Sequence, residues 1–420
     1  MYWKDKYLKY KSKYLELKKL IGGAPCLVCK KEPCECLSTH VVEESVPVVA
    51  SSAALVQAVV PVRAAWLNQS PPESFFTLDD IERRAKEDDP VETEFEDLDQ
   101  KWTDNNPDFK QLIYVPITPE QEAARAPKNR YVNILPQTAT RVVLKTYPQL
   151  GPESDYINAD HVNLPNEPHG YILTQAPKAE TINDFWRMVW EQQASIIVML
   201  TDFVENGRRK AVQYWPDVEA VYGMLKVKLK IKEPVLDTGI EMRVFDVSHI
   251  VDGGFIECTH FHYKTWPDHH ALSEKDDMKK YVELLHQYRR MRNSQPVGHK
   301  SIIHCSAGVG RSGTFLASDY LLRDIERQTA KAIAEKGKTS TPLSADTWPS
   351  MVRISVHNVV RQLRLARGGQ VVQTPEQYRF IFQFLDHCLE ENVLLDIHLP
   401  AAKVEPMSGV TATTLSKEKL

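Results

Sequence analysis

The chain has 420 residues, 42% of them hydrophobic and 26% charged, with a formal net charge of −4 at pH 7. That balance fits a globular enzyme with additional ends and offers no general electrostatic case for nucleic-acid binding. Length alone would allow two or three average domains, yet the motif-bearing stretch suits one large α/β domain. That domain is expected over residues 78–392, between an N-terminal segment, 1–77, and a tail, 393–420.

In chain order, the first feature runs from Tyr2 to Ile21. Seven lysines stand there against Asp5 and Glu16, interleaved with Tyr7, Leu8, Tyr14, Leu15, Leu17, Leu20 and Ile21 and stopped by Gly22-Gly23. The pattern predicts a basic amphipathic helix with a glycine stop. It resembles a Lys-Tyr-Leu-rich terminal segment of proteins of large DNA viruses, which implies a virally encoded protein with an address or packaging tag. A solvated helix without a partner and membrane-surface attachment are the alternatives. Next, Cys26, Cys29, Cys34 and Cys36 supply four of the seven cysteines. They are enough thiolates for zinc, but the loop is tight and the spacing is not a usual structural-zinc pattern, so reduced thiols or disulfides compete. Val46 to Val62 is apolar but interrupted by Pro47, Ser51, Ser52, Gln57 and Pro61. It falls short of the ~20 apolar residues of a membrane span and reads as a flexible Val/Ala-rich linker.

Further on, Leu225 to Ile231 alternates apolar and lysine residues, as a half-buried strand does, and Phe255 to Tyr263 also reads as extended. Ser273 opens a helix with Met278, Tyr281, Val282, Leu285 and Tyr288 on one face and Asp276 at its start. Ser301-Ile302-Ile303-His304 reads as a buried strand, and Ser312 to Leu322 has helical spacing. From Gln328 to Met351 the chain turns polar, which predicts a surface loop. After Pro375 a last helix uses Tyr378, Ile381, Leu385, Cys388 and Leu389 as its apolar stripe, with Cys388 and Cys258 as buried bystanders. Together these elements predict a sheet flanked by helices.

The chemistry concentrates between that strand and the helix after it, at His304-Cys305-Ser306-Ala307-Gly308-Val309-Gly310-Arg311-Ser312-Gly313. Ala307, Gly308 and Gly310 let consecutive backbone N–H groups turn inward at the positive end of a helix dipole, a nest suited to a phosphate dianion. The same field lowers a thiol from ~8.5 toward ~3.5–7.5, making Cys305 a nucleophile at neutral pH. Arg311 presents a planar fork for two phosphoryl oxygens, which lysine cannot match. Ser312 can offer a hydroxyl to the sulfur, and His304 can orient the loop. No metal or cofactor is required for such a site. A catalytic thiol and the lack of a signal peptide point to a reducing interior, intracellular and cytoplasmic, or a virion.

At these residues the sequence resembles the tyrosine-specific, cysteine-dependent protein phosphatases, whose signature is a His-Cys-x-x-Gly-x-x-Arg-Ser/Thr-Gly loop. The likeness extends through Lys128-Asn129-Arg130-Tyr131-Val132-Asn133-Ile134, Asp155 to Ala159, Thr174 to Pro177, Asp184 to Glu191 and Ile197 to Leu200. The resemblance implies an α/β (α+β) domain with a twisted mixed central sheet and the phosphate loop between a strand and a helix. It further implies that Tyr131, with Asn133, lines a deep cleft for phosphotyrosine, and that Ser306, Ala307, Gly308, Val309 and Gly310 bind the phosphoryl oxygens. Asp268 in Thr265-Trp266-Pro267-Asp268 becomes the general acid and then base on a mobile loop that Trp266 helps support. Gln373 aligns the hydrolytic water, with Gln377 beside it; Glu205 orients Arg311, and Lys210 meets the closed acid loop. A second Trp-Pro-Asp, at Trp215-Pro216-Asp217, matches a different family segment and is assigned to structure.

Two departures stand out. His269-His270-Ala271-Leu272 replaces the family's glycine- and proline-bearing hinge, which is expected to slow loop closure if a positive φ is needed at 270. Arg364 to Gln370 is one residue longer than the family pattern before Gln373. The implied partners are phosphotyrosine-containing proteins. The rival readings are a phosphotyrosine-binding module with weakened turnover and a phosphatase of RNA 5′ ends or phosphoinositides.

Overall fold

The computed structural model describes residues 76–391 and 393, apart from 88, 115, 237, 267–271, 273–274 and 337–347. The chain divides into two units, 1–55 and 56–420, and every described residue belongs to the second. The basic helix expected at Tyr2–Ile21, the cluster Cys26, Cys29, Cys34 and Cys36, the Val46–Val62 stretch and the tail lie outside the described residues, as does Asp268.

Strand β1 (Phe76–Thr77) leads into helices α1 (Ile81–Lys86), α2 (Asp89–Lys101), α3 (Pro107–Ile113) and α4 (Pro119–Arg125). Their starts are written locally. Asn106 accepts from the amides of Asp108 and Phe109, Thr118 and Gln121 form a reciprocal capping box, and a proline takes the first turn of both α3 and α4. Next come β2 (Arg141–Val143), β3 (Tyr156–Val162), β4 (Tyr171–Thr174), α5 (Ile182–Glu191) and β5 (Ala194–Met199). A two-strand hairpin, β6 (Val204–Glu205) and β7 (Arg208–Arg209), precedes the meander β8 (Glu219–Tyr222), β9 (Leu225–Val235), β10 (Ile240–His249) and β11 (Phe255–His262). The chain continues through α6 (Lys275–Asn293), β12 (Lys300–His304), α7 (Gly310–Lys336), α8 (Trp348–Met351), β13 (Arg353–Ile354), α9 (Val356–Arg367) and α10 (Pro375–Glu390).

Nine strands make one mixed sheet in the order β2-β3-β4-β12-β5-β11-β10-β9-β8. Its centre is parallel, with β12 between β4 and β5 and with β5 beside β11, while the margins are antiparallel. The central strands are apolar on both faces, as parallel strands covered by helices must be. Alternation then divides them between two cores. Leu173, Ile196, Val198 and Ile303 face the cluster that contains residues of α6, α7, α9 and α10, whereas Ile172, Ile197, Met199 and Ile302 face the cluster built on Phe185, Trp186, Met188 and Val189 of α5. Strand β12 is therefore clamped on both sides and both faces, and the loop after His304 leaves from the most constrained part of the sheet.

The surface loop expected from Gln328 to Met351 is corrected at its start: α7 continues to Lys336. Thr329-Ala330-Lys331-Ala332-Ile333-Ala334-Glu335-Lys336 is rich in strong helix formers. In addition, Ala332 is buried and the Thr329 hydroxyl donates to the Ile325 carbonyl, so the helix propagates past the point where its apolar stripe thins.

Candidate active site

The turn from β12 into α7 forms a closed cradle. Gly308 has φ +75°, and a Cβ there would lie 2.0 Å from the Thr174 carbonyl oxygen, so no other residue fits without displacing the loop from β4. The Gly308 amide donates to Cys305 Sγ at 3.3 Å. Cys305 is 4% exposed. Burial alone pushes its thiol up, but the Arg311 guanidinium, the Ser312 hydroxyl and the Ser312 and Gly308 amides outweigh that and bring the pKa below the ordinary cysteine value. Among the described residues the Ser312 hydroxyl is buried without a hydrogen-bond partner, which leaves its proton to the Cys305 sulfur.

Arg311 is fixed before any substrate arrives. Its Nη1 donates to Glu205 Oε1 at 2.7 Å and to the Trp266 carbonyl at 2.8 Å, and its Nη2 donates to Glu205 Oε2 and to Thr201 Oγ1, both at 3.2 Å. Glu205 sits on the β6–β7 hairpin, which turns through Asn206 and Gly207 at positive φ and so delivers its carboxylate in bidentate form. The Trp266 ring is 1% exposed and packs edge-on to Tyr281 with centroids 5.2 Å apart. Its carbonyl thereby ties Trp266, two residues before Asp268 in sequence, to the cradle arginine.

Behind the cysteine runs a line of hydrogen bonds whose direction can be worked out. His304 Nδ1 lies 3.1 Å from the Cys305 carbonyl, an acceptor only, so Nδ1 carries the proton. Burial pushes His304 down to about 3, so its ring is neutral and Nε2 must accept; Tyr214 donates to it at 2.7 Å. The Tyr214 oxygen then accepts from His260 Nε2 at 2.9 Å, so the neutral ring leaves Nδ1 bare, and among the described residues Nδ1 has no partner. Three side chains thus fix the orientation of the Cys305 carbonyl.

A second clamp was not foreseen. Arg367, fully buried at the end of α9, donates to the Ala307 carbonyl at 3.1 Å and to the Gly308 carbonyl at 3.3 Å. Its remaining donors go to Asp160 Oδ2 and Asn158 Oδ1 on β3, each at 2.7 Å. Turning those two carbonyls outward turns the following amides inward, which is what an anion nest needs. Sequence reasoning noted Arg367 only within the longer segment before Gln373. The available signal was an arginine one turn after Arg364 in an otherwise apolar helix face.

The segment between α9 and α10 places both glutamines beside the start of α7. Gly368 takes φ +121° and the Val371 amide donates to its carbonyl at 3.2 Å. A Cβ on Gly310 would stand 2.5 Å from Gln373 Oε1 and 3.0 Å from Gln377 Oε1, so both amides lie against the mouth of α7. Gln377 Oε1 accepts from the Gln373 amide at 2.9 Å, and its Nε2 is buried without a partner among the described residues.

Tyr131 is brought to the same place. Ser306 Oγ donates its one proton to the Lys210 carbonyl at 2.9 Å, so the Tyr131 hydroxyl, 2.8 Å away, is the donor to Ser306. The Tyr131 loop is pinned by its neighbours, with Arg130 reaching the carbonyls of Ala176 and Pro177, and with Asn129 accepting from Tyr156 and Asn158. Asn133 is exposed two residues on, and Val309 is fully buried beneath the loop. Asp217 is exposed and accepts from Gln213 Nε2, while Trp215 beside it is buried under Arg243 and against His260; this second Trp-Pro-Asp belongs to the wall of the core. Among the described residues no group of three or more His, Cys, Asp or Glu side chains could hold a metal ion.

A sequence model described as protein-tyrosine phosphatase matches residues 125–387, more than half of the chain. The chain is 34% identical over 322 residues to receptor-type tyrosine-protein phosphatase alpha of Homo sapiens, covering 73% of this chain and 36% of that protein. It is 34% identical over 283 residues to tyrosine-protein phosphatase 3 of Dictyostelium discoideum, covering 66% of this chain and 26% of that protein. A third relative, receptor-type tyrosine-protein phosphatase H of Homo sapiens, is 34% identical over 297 residues, covering 68% and 25%. The chain spans between a quarter and just over a third of the length of these relatives. Among the described residues no helix is long and apolar enough to cross a membrane.

Proposed function

Since the chain belongs to the protein tyrosine phosphatase family, we propose that it hydrolyses phosphotyrosine in proteins through a phosphocysteine intermediate. The Cys305 thiolate attacks phosphorus as the bond to the tyrosyl oxygen breaks, and Asp268 gives that oxygen its proton. Water then attacks phosphorus, Asp268 accepts a proton from it, and the sulfur–phosphorus bond breaks to release inorganic phosphate and the thiolate. Arg311 follows the charge on two equatorial oxygens through both steps, and the loop amides hold the third. Gln373 aligns the water, and Ser312 eases departure of the sulfur. His304, Glu205, Trp266 and Arg367 act one layer out by fixing the loop and the guanidinium.

The observation that carries this reading is a buried cysteine whose pKa is lowered by its own loop, beneath a guanidinium held bidentately by Glu205. Tyr131, hydrogen-bonded to the loop at Ser306, supports a substrate with an aromatic ring over one with a short phosphoserine arm. A thiolate nucleophile requires a reducing compartment, and we assign the working protein to one. Turnover of a small aryl phosphate tests the reading. Cys305→Ser is expected to abolish it, and Asp268→Ala to lower kcat by about 10²–10⁴-fold while leaving the protein able to retain phosphotyrosine substrates. Activity that survives Cys305→Ser would overturn the proposal.

A further inference from the structure

The mouth of the site is electrically one-sided. On one rim, the two residues after Tyr131 are uncharged: Val132 is 92% exposed, the most exposed large apolar side chain among the described residues, and Asn133 is exposed beside it. The cation of that loop is already spent, because the Arg130 guanidinium is bonded to the carbonyls of Ala176 and Pro177.

The other rim is the β6–β7 hairpin. It reaches the loop at two points, through Glu205 on Arg311 and through the Lys210 carbonyl on Ser306. Between those anchors stand Arg208 and Arg209, both exposed. Arg208 is paired across the hairpin with Glu205 and Arg209 with Val204. Paired residues share a face of the ribbon, so Arg208 shares the face of the carboxylate that grips Arg311. Glu205 cannot neutralise it, since both of its oxygens are taken by Arg311. Arg209 lies close enough to Arg130 for the two cations to repel. Two guanidiniums without a counter-ion among the described residues, held next to the cradle by a hairpin with fixed ends, leave an acidic ligand group to complete them.

Resting on the phosphatase reading above, we propose that this rim selects phosphotyrosine peptides whose acidic side chains lie on the one flank that crosses β6–β7, while an uncharged residue lies against Val132. The test uses fluorescent phosphotyrosine peptides with three acidic residues before the phosphotyrosine, three after it, or none. Their binding to the Cys305→Ser protein is measured by polarisation, alongside turnover of para-nitrophenyl phosphate by the protein with its cysteine intact. Exposed ion pairs contribute only a few-fold each, so one of the two acidic placements should bind about tenfold more tightly than the neutral peptide and the other no better than about twofold. Arg208→Gln with Arg209→Gln should erase the preference without changing aryl-phosphate turnover, and raising the salt to about 0.5 M should do the same. Val132→Lys should extend the preference to the other flank. Equal affinity for all three peptides, or equal gain from both placements, would overturn the inference while aryl-phosphate turnover left the phosphatase reading intact. Loss of that turnover with the one-sided preference retained would sink the phosphatase reading instead.

Discussion

At the scale of single residues the site is a problem in holding charges where burial opposes them. Arg311 is 1% exposed and is stabilised by a carboxylate, a hydroxyl and a carbonyl, so its fork is aimed before substrate binds and little reorganisation remains for the reaction. Arg311→Lys keeps the charge and loses the paired geometry; kcat on an aryl phosphate should fall about 10²–10³-fold, and a loss under fivefold would show that orientation is dispensable. Arg367 presents a different case, because its partner Asp160 is also fully buried. Removing one member leaves the other unpaired, at a cost of about 3–5 kcal/mol. Arg367→Met should therefore shift the denaturation midpoint strongly as well as weaken phosphate binding, and a stable variant with an unchanged inhibition constant for vanadate would contradict the clamp. The Cys305 loop was legible in the sequence because its residue types are dictated by local chemistry. The Arg367 clamp was not, because its partners on β3 and in the loop are 59 or more residues away along the chain.

At the scale of elements, the strand–loop–helix unit works because its neighbours leave it no freedom. Gly308→Ala would drive a methyl into the Thr174 carbonyl and impose strain at φ +75°; the loop and β4 must separate, and activity should be lost even where circular dichroism shows an intact fold. The buried histidines give the sheet a pH dependence with a definite sign. His304 is pushed down to about 3 and His262 to about 4, and His260 lies well below its ordinary value, all by burial first. The unfolded chain, with histidines near 6.5, binds protons that the folded one refuses. Stability is thus complete above about pH 6.5 and is lost as pH falls toward 3, by on the order of 2 kcal/mol per histidine at pH 5. Urea denaturation at pH 7 and pH 5 measures this, and equal midpoints would show that these rings are solvated. Strand β9 was readable from its alternation, β11 from its extended residue types, and helix α10 from the apolar stripe after Pro375. Helix α7 was misread beyond Gln328, where polar composition hid a run of helix-favouring residues anchored by Ala332.

At the scale of the whole molecule, the phosphate loop hangs from the central parallel strand of a nine-stranded sheet, with helices sealing both faces. The long-range order of that sheet could not be read from periodicity, since β12 follows β11 in sequence yet is separated from it by β5; only the resemblance of the ordered motifs implied it. The proposed chemistry requires that this assembly keep the Cys305 sulfur ionised. Titration of Cys305 reactivity with iodoacetate from pH 4 to 10, against a Cys305→Ser control, measures that directly. A midpoint well below ~8.5 is the predicted result, and a midpoint at or above that value would contradict it.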